Sequence, residues 1–103
     1  MKELLQAVDE LACAEYDRAA AKFGPAHNSP HEAYAVIFEE FEEAREDIHA
    51  FNYHFQNYWG SIKANAPNEN FLKNMHRIAE HAAAEWVQVA AMCLKALVKD
   101  GDI

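Results

Sequence analysis

The chain holds little that breaks a helix and little that builds a strand. Glycine and proline number three each in 103 residues, and few of them fall inside a periodic segment, which points to long helices. Runs of Val, Ile and Thr are few, and no alternating strand pattern is present. Basic residues are scarce: 9 Lys and Arg stand against 17 Asp and Glu, a formal charge of −8. So acidic a chain is a poor ligand for a nucleic acid polymer and suits cations better. The two cysteines, Cys13 and Cys93, form neither a zinc set nor a disulfide framework. Both lie among apolar neighbours and read as small buried hydrophobes in a reducing compartment. No apolar stretch is long and uncharged enough to span a membrane. The opening MKELLQAVDELA sets acids among its leucines and is not a signal peptide. A cytoplasmic location is expected.

What the chain does have is apolar residues, 51% of the total, enough to fold as a single domain over residues 1–103. In residues 2–23, Leu5, Val8, Ala12, Tyr16, Ala19 and Phe23 recur at steps of three and four, the mark of a helix. Gly24-Pro25 ends it. A second helix starts at Ser29-Pro30, where the serine suits the N-cap, the proline the first turn, and Glu32 completes a capping box. From Tyr34 through Ile37, Phe41, Ala44, Ile48, Phe51, Phe55 and Tyr58 to Ile62 an apolar stripe continues over about four heptads. Asn52, Asn57 and Gly60 are poor helix formers, so FNYHFQNYWG is a place where the helix could depart from straightness. The turn KANAPNEN follows, with Asn68 as the next N-cap. The third helix is expected over 69–99, ended by Asp100-Gly101. Its stretch from Ala82 to Val98 is apolar nearly all round. The expected fold is all-α: a long-helix hairpin plus an N-terminal helix. A homodimer or homotetramer would close its apolar faces into a four-helix-type bundle.

One residue is out of place in that apolar stretch. Glu85 shares a face with Ile78, Ala82, Val89 and Met92, and Gln88 lies one turn along the same side. In the second helix Val36, Glu40, Glu43 and Asp47 form a stripe at steps of four, three and four. Folding these two helices as an antiparallel hairpin places the midpoint between Glu40/Glu43 and Glu85/Gln88 near Ala64, inside the expected turn. Each arm then rises about 30 Å at 1.5 Å per residue, and Glu85 meets Glu40 and Glu43. Carboxylates gathered in this way repel one another unless they are protonated or neutralised by a divalent cation. Oxygen ligands without a Cys or His set favour Mg²⁺ or Mn²⁺ with a phosphorylated ligand. Two plainer arrangements compete. EEFEEARED can be a solvated helix face, and Glu85 can be paired with Arg77, His81 or a tyrosine.

HNSPHEAYAVIFEEFEEA followed by AEWVQVAAM resembles the MazG-like nucleoside triphosphate pyrophosphohydrolases, helical hydrolases of the all-α pyrophosphatase superfamily. The likeness covers roughly residues 22–98 and is greatest to small, stand-alone, often phage-associated members. The family pattern is Glu-x-x-Glu on one helix and Glu-x-x-Asp on the next. Glu40 to Glu43 match the first half, with Glu39 as the preceding acid. Glu85 to Gln88 match the second half, with Gln88 where Asp is usual. The interval between the two acidic pairs is longer than in compact members. The resemblance implies Mg²⁺-dependent (or Mn²⁺-dependent) hydrolysis of a nucleoside triphosphate to the monophosphate and pyrophosphate. It makes Glu40, Glu43, Glu85 and Gln88 the expected metal ligands, and Glu39 and Glu40 the catalytic pair, with Glu39 orienting the water. Asp47 could stand in for the missing acid at Gln88. The alternative is a non-catalytic helical oligomer that binds nucleotide or protein at a degenerate metal site.

Several other residues are candidates for substrate contact. His27 and His31 flank the start of the second helix and are expected on the surface, although either could approach the substrate. Lys95, two turns beyond Gln88, is the best placed of Arg77, Lys95 and Lys99 to hold phosphate, against a snorkelling role. Tyr53, Phe55, Tyr58 and Trp59 suit a core more than base stacking. Glu46-x-x-His49 is half of a di-iron signature whose second half is absent.

Overall fold

The computed structural model describes residues 1–98. Three helices follow one another: α1 (Lys2–Phe23), α2 (Pro30–Lys63) and α3 (Glu69–Leu97). There is no strand among the described residues. The all-α fold read from the sequence is the fold observed, and α1 and the starts of α2 and α3 fall where the punctuation put them. The expected stop at Asp100-Gly101 lies outside the described residues.

Each boundary has a local cause. At the end of α1, Gly24 takes φ 95°, a conformation glycine adopts without strain, and its N–H donates to Ala20 O at 2.9 Å. The Tyr16 hydroxyl then donates to Pro25 O at 2.8 Å and pins the departing chain to the helix. At the start of α2 the Ser29 side chain accepts from the Glu32 N–H at 3.1 Å. The reciprocal half of the expected capping box is redirected. Glu32 takes the Asn28 side-chain amide at 2.9 Å and the Asn28 N–H at 3.3 Å, so it braces the loop rather than the cap. α2 runs unbroken through FNYHFQNYWG to Lys63. Asn65 at φ 54° turns the chain, while Ala64, Asn65 and Ala66 donate back to the last turn of α2. Asn68 caps α3 through its backbone, with no bond from its side chain.

α2 and α3 form the antiparallel hairpin. α1 packs on α3 and not on α2. The contact between helices is made by small residues: Ala44 and Ala91 are 0% exposed, with Ala12, Ala33 and Met92 the other buried apolar residues. Among the described residues no large side chain is fully buried. The apolar stripe of α1 is therefore only partly covered, with Leu5 64% and Phe23 68% exposed. Tyr53, Phe55 and Trp59 are exposed as well and do not form the core expected of them. Cys13 and Cys93 correct a second expectation, since both are free and exposed. With α1 touching only one neighbour, an apolar context in the sequence does not guarantee a covering element.

Replacing the Ser29 cap with alanine removes the acceptor for the Glu32 N–H. Ser29→Ala is expected to lower stability by about 1 kcal/mol, measured as a reduced urea midpoint with unchanged slope.

Candidate functional site

Glu40, Glu43 and Glu85 meet. One carboxylate oxygen from each lies within 4.8 Å of the other two. Two come from α2 and one from α3, as the hairpin arithmetic required. Glu40 and Glu43 stand one turn apart on α2, next to the fully buried Ala44 that lets α3 approach. Beside the cluster, Phe41 of α2 and Trp86 of α3 meet edge to face with ring centroids 6.1 Å apart, which fixes the register at this level. Glu40 and Glu85 are partly buried, and Glu43 is open to solvent.

The electrostatics are those of crowded acids. Partial burial, then the neighbouring Glu43, Glu85 and Glu39, raise the Glu40 pKa above its ordinary value. Partial burial and Glu43 raise that of Glu85, and His81 opposes them. His81 stands on the rim of the cluster. Its Nδ1 donates to Asp47 Oδ2 at 2.7 Å, and its Nε2 lies 3.7 Å from Glu85 Oε1. Asp47, chiefly through that hydrogen bond, raises the His81 pKa. Glu85 thus combines two of the arrangements open to it from sequence: it faces Glu40 and Glu43, with His81 at the side. Three carboxylate oxygens this close are suited to a hard divalent cation whose remaining positions go to water or phosphate.

Gln88 lines the same hollow as Glu40. Its amide donates to Glu15 Oε2 of α1 at 2.9 Å, and the other oxygen of Glu15 pairs with Arg18. Gln88 therefore fastens α1 to α3. Asp47 is occupied by His81. Glu39 is exposed, one turn before Glu43 on α2. His31 is exposed on the outer side of α2, beside Pro30 and Tyr34. Arg77 lies in a separate shallow hollow with His76 and Glu80. Lys99 is outside the described residues.

Against the cluster lies a cavity of about 470 Å³, bounded by α1, the 24–29 loop, α2 and α3. Glu40 belongs to both. Phe23, His27, Glu32, Gln88 and Lys95 are among its other walls. Lys95 is only 6% exposed, and its Nζ stands 5.9 Å from the centre of the Phe23 ring. The His27 side chain is 3% exposed, against the surface position expected of it. The signal that could have found it is the loop itself: Gly24-Pro25 turns the chain back over α3, and the residues that follow must cross the bundle.

No family model, no curated protein and no solved structure matches this chain.

The raised carboxylates predict how stability depends on pH. In the folded chain Glu40 and Glu85 hold protons more tightly than their ordinary value of 4.5. Their stabilisation is present while they are protonated and is lost as pH rises from 4.5 through the raised folded values. His81 acts in the same sense at higher pH: its contribution is full below 6.5 and is lost as pH rises through its raised folded value. Glu32, whose pKa is lowered chiefly by the Asn28 side chain, has its window below 4.5. In the presence of a chelator, melting followed by circular dichroism is expected at a higher temperature near pH ~5.5 than near pH ~8. Glu40→Gln should flatten that dependence and stabilise the metal-free protein by about 0.5 kcal/mol at neutral pH, the scale of removing a like-charge helix pair.

Proposed function

We propose that the protein is a divalent-cation-dependent hydrolase of nucleoside triphosphates, of the MazG-like kind, releasing nucleoside monophosphate and pyrophosphate. The observation that carries this reading is the convergence of Glu40, Glu43 and Glu85 from two helices. Bringing like charges together raises the energy of the metal-free fold, and a cation offsets that repulsion. Glu40, Glu43 and Glu85 would hold Mg²⁺ or Mn²⁺, which supplies Lewis-acid neutralisation of charge on the phosphate oxygens. Glu39 carries the free carboxylate one turn from Glu43 and acts as general base for the attacking water. The water oxygen bonds to the α-phosphorus, the bond from that phosphorus to the bridging oxygen breaks, and pyrophosphate leaves with the electron pair. The water proton passes to Glu39 and then to solvent.

The working unit is a homodimer or homotetramer. What supports this is the incomplete core: among the described residues no large side chain is fully buried, while Leu4, Leu5, Val8 and Leu11 of α1 and Tyr34 and Phe38 of α2 stay exposed. A second copy of the chain covering these faces would complete a four-helix bundle.

One observation favours a second reading. With Gln88 engaged by Glu15, the centre has one acid fewer than the family pattern, as in a helical oligomer that binds nucleotide or protein without turnover. Pyrophosphate release from a panel of triphosphates separates the two. Turnover that requires Mg²⁺ or Mn²⁺, with Glu40→Gln and Glu85→Gln each lowering kcat/KM by about 100-fold or more, supports the hydrolase. Saturable triphosphate binding without release, unaltered by metal, supports the second reading. Light scattering is expected to give a mass at least twice the 11.7 kDa of one chain, and a monomer at micromolar concentration would rule out the shared bundle. Leu5→Glu with Leu11→Glu should dissociate the oligomer.

A further inference from the structure

The cavity beside the acidic cluster holds two polar side chains that are more than nine-tenths buried. Lys95 is 6% exposed, and among the described residues no carboxylate lies within salt-bridge distance of its Nζ. Its amine carries three donors and lies 5.9 Å from the centre of the Phe23 ring. His27 is 3% exposed. Its Nε2 lies 3.5 Å from Met92 O. A carbonyl oxygen can only accept, so that contact places a proton on Nε2, and in the neutral ring Nδ1 is then an acceptor. Nδ1 is buried without a hydrogen-bond partner. The nearest carboxylate oxygen, Glu32 Oε1, is 3.8 Å away, and the Glu32 carboxylate already accepts both Asn28 donors. Met92 and Lys95 are one turn apart on α3, so the unpartnered His27 Nδ1 and the Lys95 amine sit at the same end of the cavity. Buried polar groups without partners are uncommon in folded proteins and call for an explanation.

The surroundings narrow the ligand. Glu32 and Glu40 both line the cavity and would repel a second anionic group. Phe23, Met92, Val36 and Ala19 give it apolar walls, suited to the faces of a flat, neutral ring. The cavity runs along α2 from Glu40 to Glu32, about 12 Å at 1.5 Å per residue, so a group anchored by phosphate at the acidic cluster reaches Lys95 with its far end.

We propose that this cavity is a nucleobase pocket in which Lys95 and His27 select bases carrying a ring N–H beside a carbonyl. Lys95 donates to the base carbonyl, and His27 Nδ1 accepts from the adjoining N–H. Uracil, thymine, guanine and hypoxanthine present that edge. Cytosine and adenine present an amino group beside a bare ring nitrogen, which sets donor against donor at Lys95 and acceptor against acceptor at His27. The proposal rests on the acidic cluster being the phosphate end, but the pocket can be tested without phosphate or metal.

The experiment is titration of the full chain with free nucleosides in a chelator, followed by NMR chemical shifts. Uridine, guanosine and inosine are expected to bind saturably and at least about 10-fold more tightly than cytidine and adenosine, the scale of one charge-assisted hydrogen bond. Lys95→Met should abolish the preference with helical circular dichroism retained. Should that variant fail to fold, His27→Asn, which keeps an oxygen acceptor near the Nδ1 position, should retain the preference, and His27→Phe should lose it. Equal affinity for all five nucleosides overturns the selection. Absence of nucleoside binding, with triphosphates still hydrolysed, overturns the pocket and leaves the hydrolase standing. Lys95-dependent binding of inorganic phosphate without nucleoside binding identifies an anion site instead and overturns the proposal. Base-selective nucleoside binding in a protein that hydrolyses no triphosphate upholds the pocket and removes the hydrolase.

Discussion

The site depends on how closely α2 and α3 can approach, and alanine sets that approach. Ala44 on one helix and Ala91 on the other are wholly buried, and short side chains at a helix crossing allow a small interaxial distance. The carboxylates of Glu40, Glu43 and Glu85 are carried inward by the same geometry. Their mutual repulsion works against the packing that creates it, which is why Glu40 and Glu85 bind protons more readily than free carboxylates. Nothing in the fold requires this arrangement. A hairpin with serine or lysine at residue 85 would pack as well and repel less. The conflict is local and is held in place by the packing surface around it.

The elements that were legible in the sequence are those governed by local chemistry. Gly24, Ser29, Pro30 and Asn68 act within a turn of where they stand, so the starts of α2 and α3 and the end of α1 could be placed from residue identity alone. The meeting of Glu85 with Glu40 and Glu43 was legible for a related reason. Once two helices are joined by a short turn, rise per residue fixes which levels face each other. Hairpin geometry is nearly local, although the residues are far apart in number.

What could not be read concerns α1 and the 24–29 loop. Gln88 sits one turn from Glu85, and helical spacing alone makes it a neighbour of the cluster. Its side chain turns to Glu15, 73 residues earlier. Periodicity says which residues share a face, not which element covers that face. His27 was hidden for the same reason: it shares no helical period with its neighbours, and only the turn at Gly24-Pro25 hints that the loop crosses the bundle. The low exposure of Lys95 was hidden as well, since a lysine on an apolar helix carries no mark of the element that covers its stem. Cys13 is exposed on α1, which meets one helix instead of two.

These misreadings share one physical centre. The Gln88–Glu15 bond draws α1 onto α3, and α1 brings Phe23 over Lys95 and closes the wall opposite α2. An aspartate at residue 88 would face the Glu15 carboxylate and push α1 away. The glutamine is therefore matched to the N-terminal helix. At one end stand the three acids, and at the other α1 supplies one wall of the cavity. Glu40, which borders both, is the residue through which the two ends must act together.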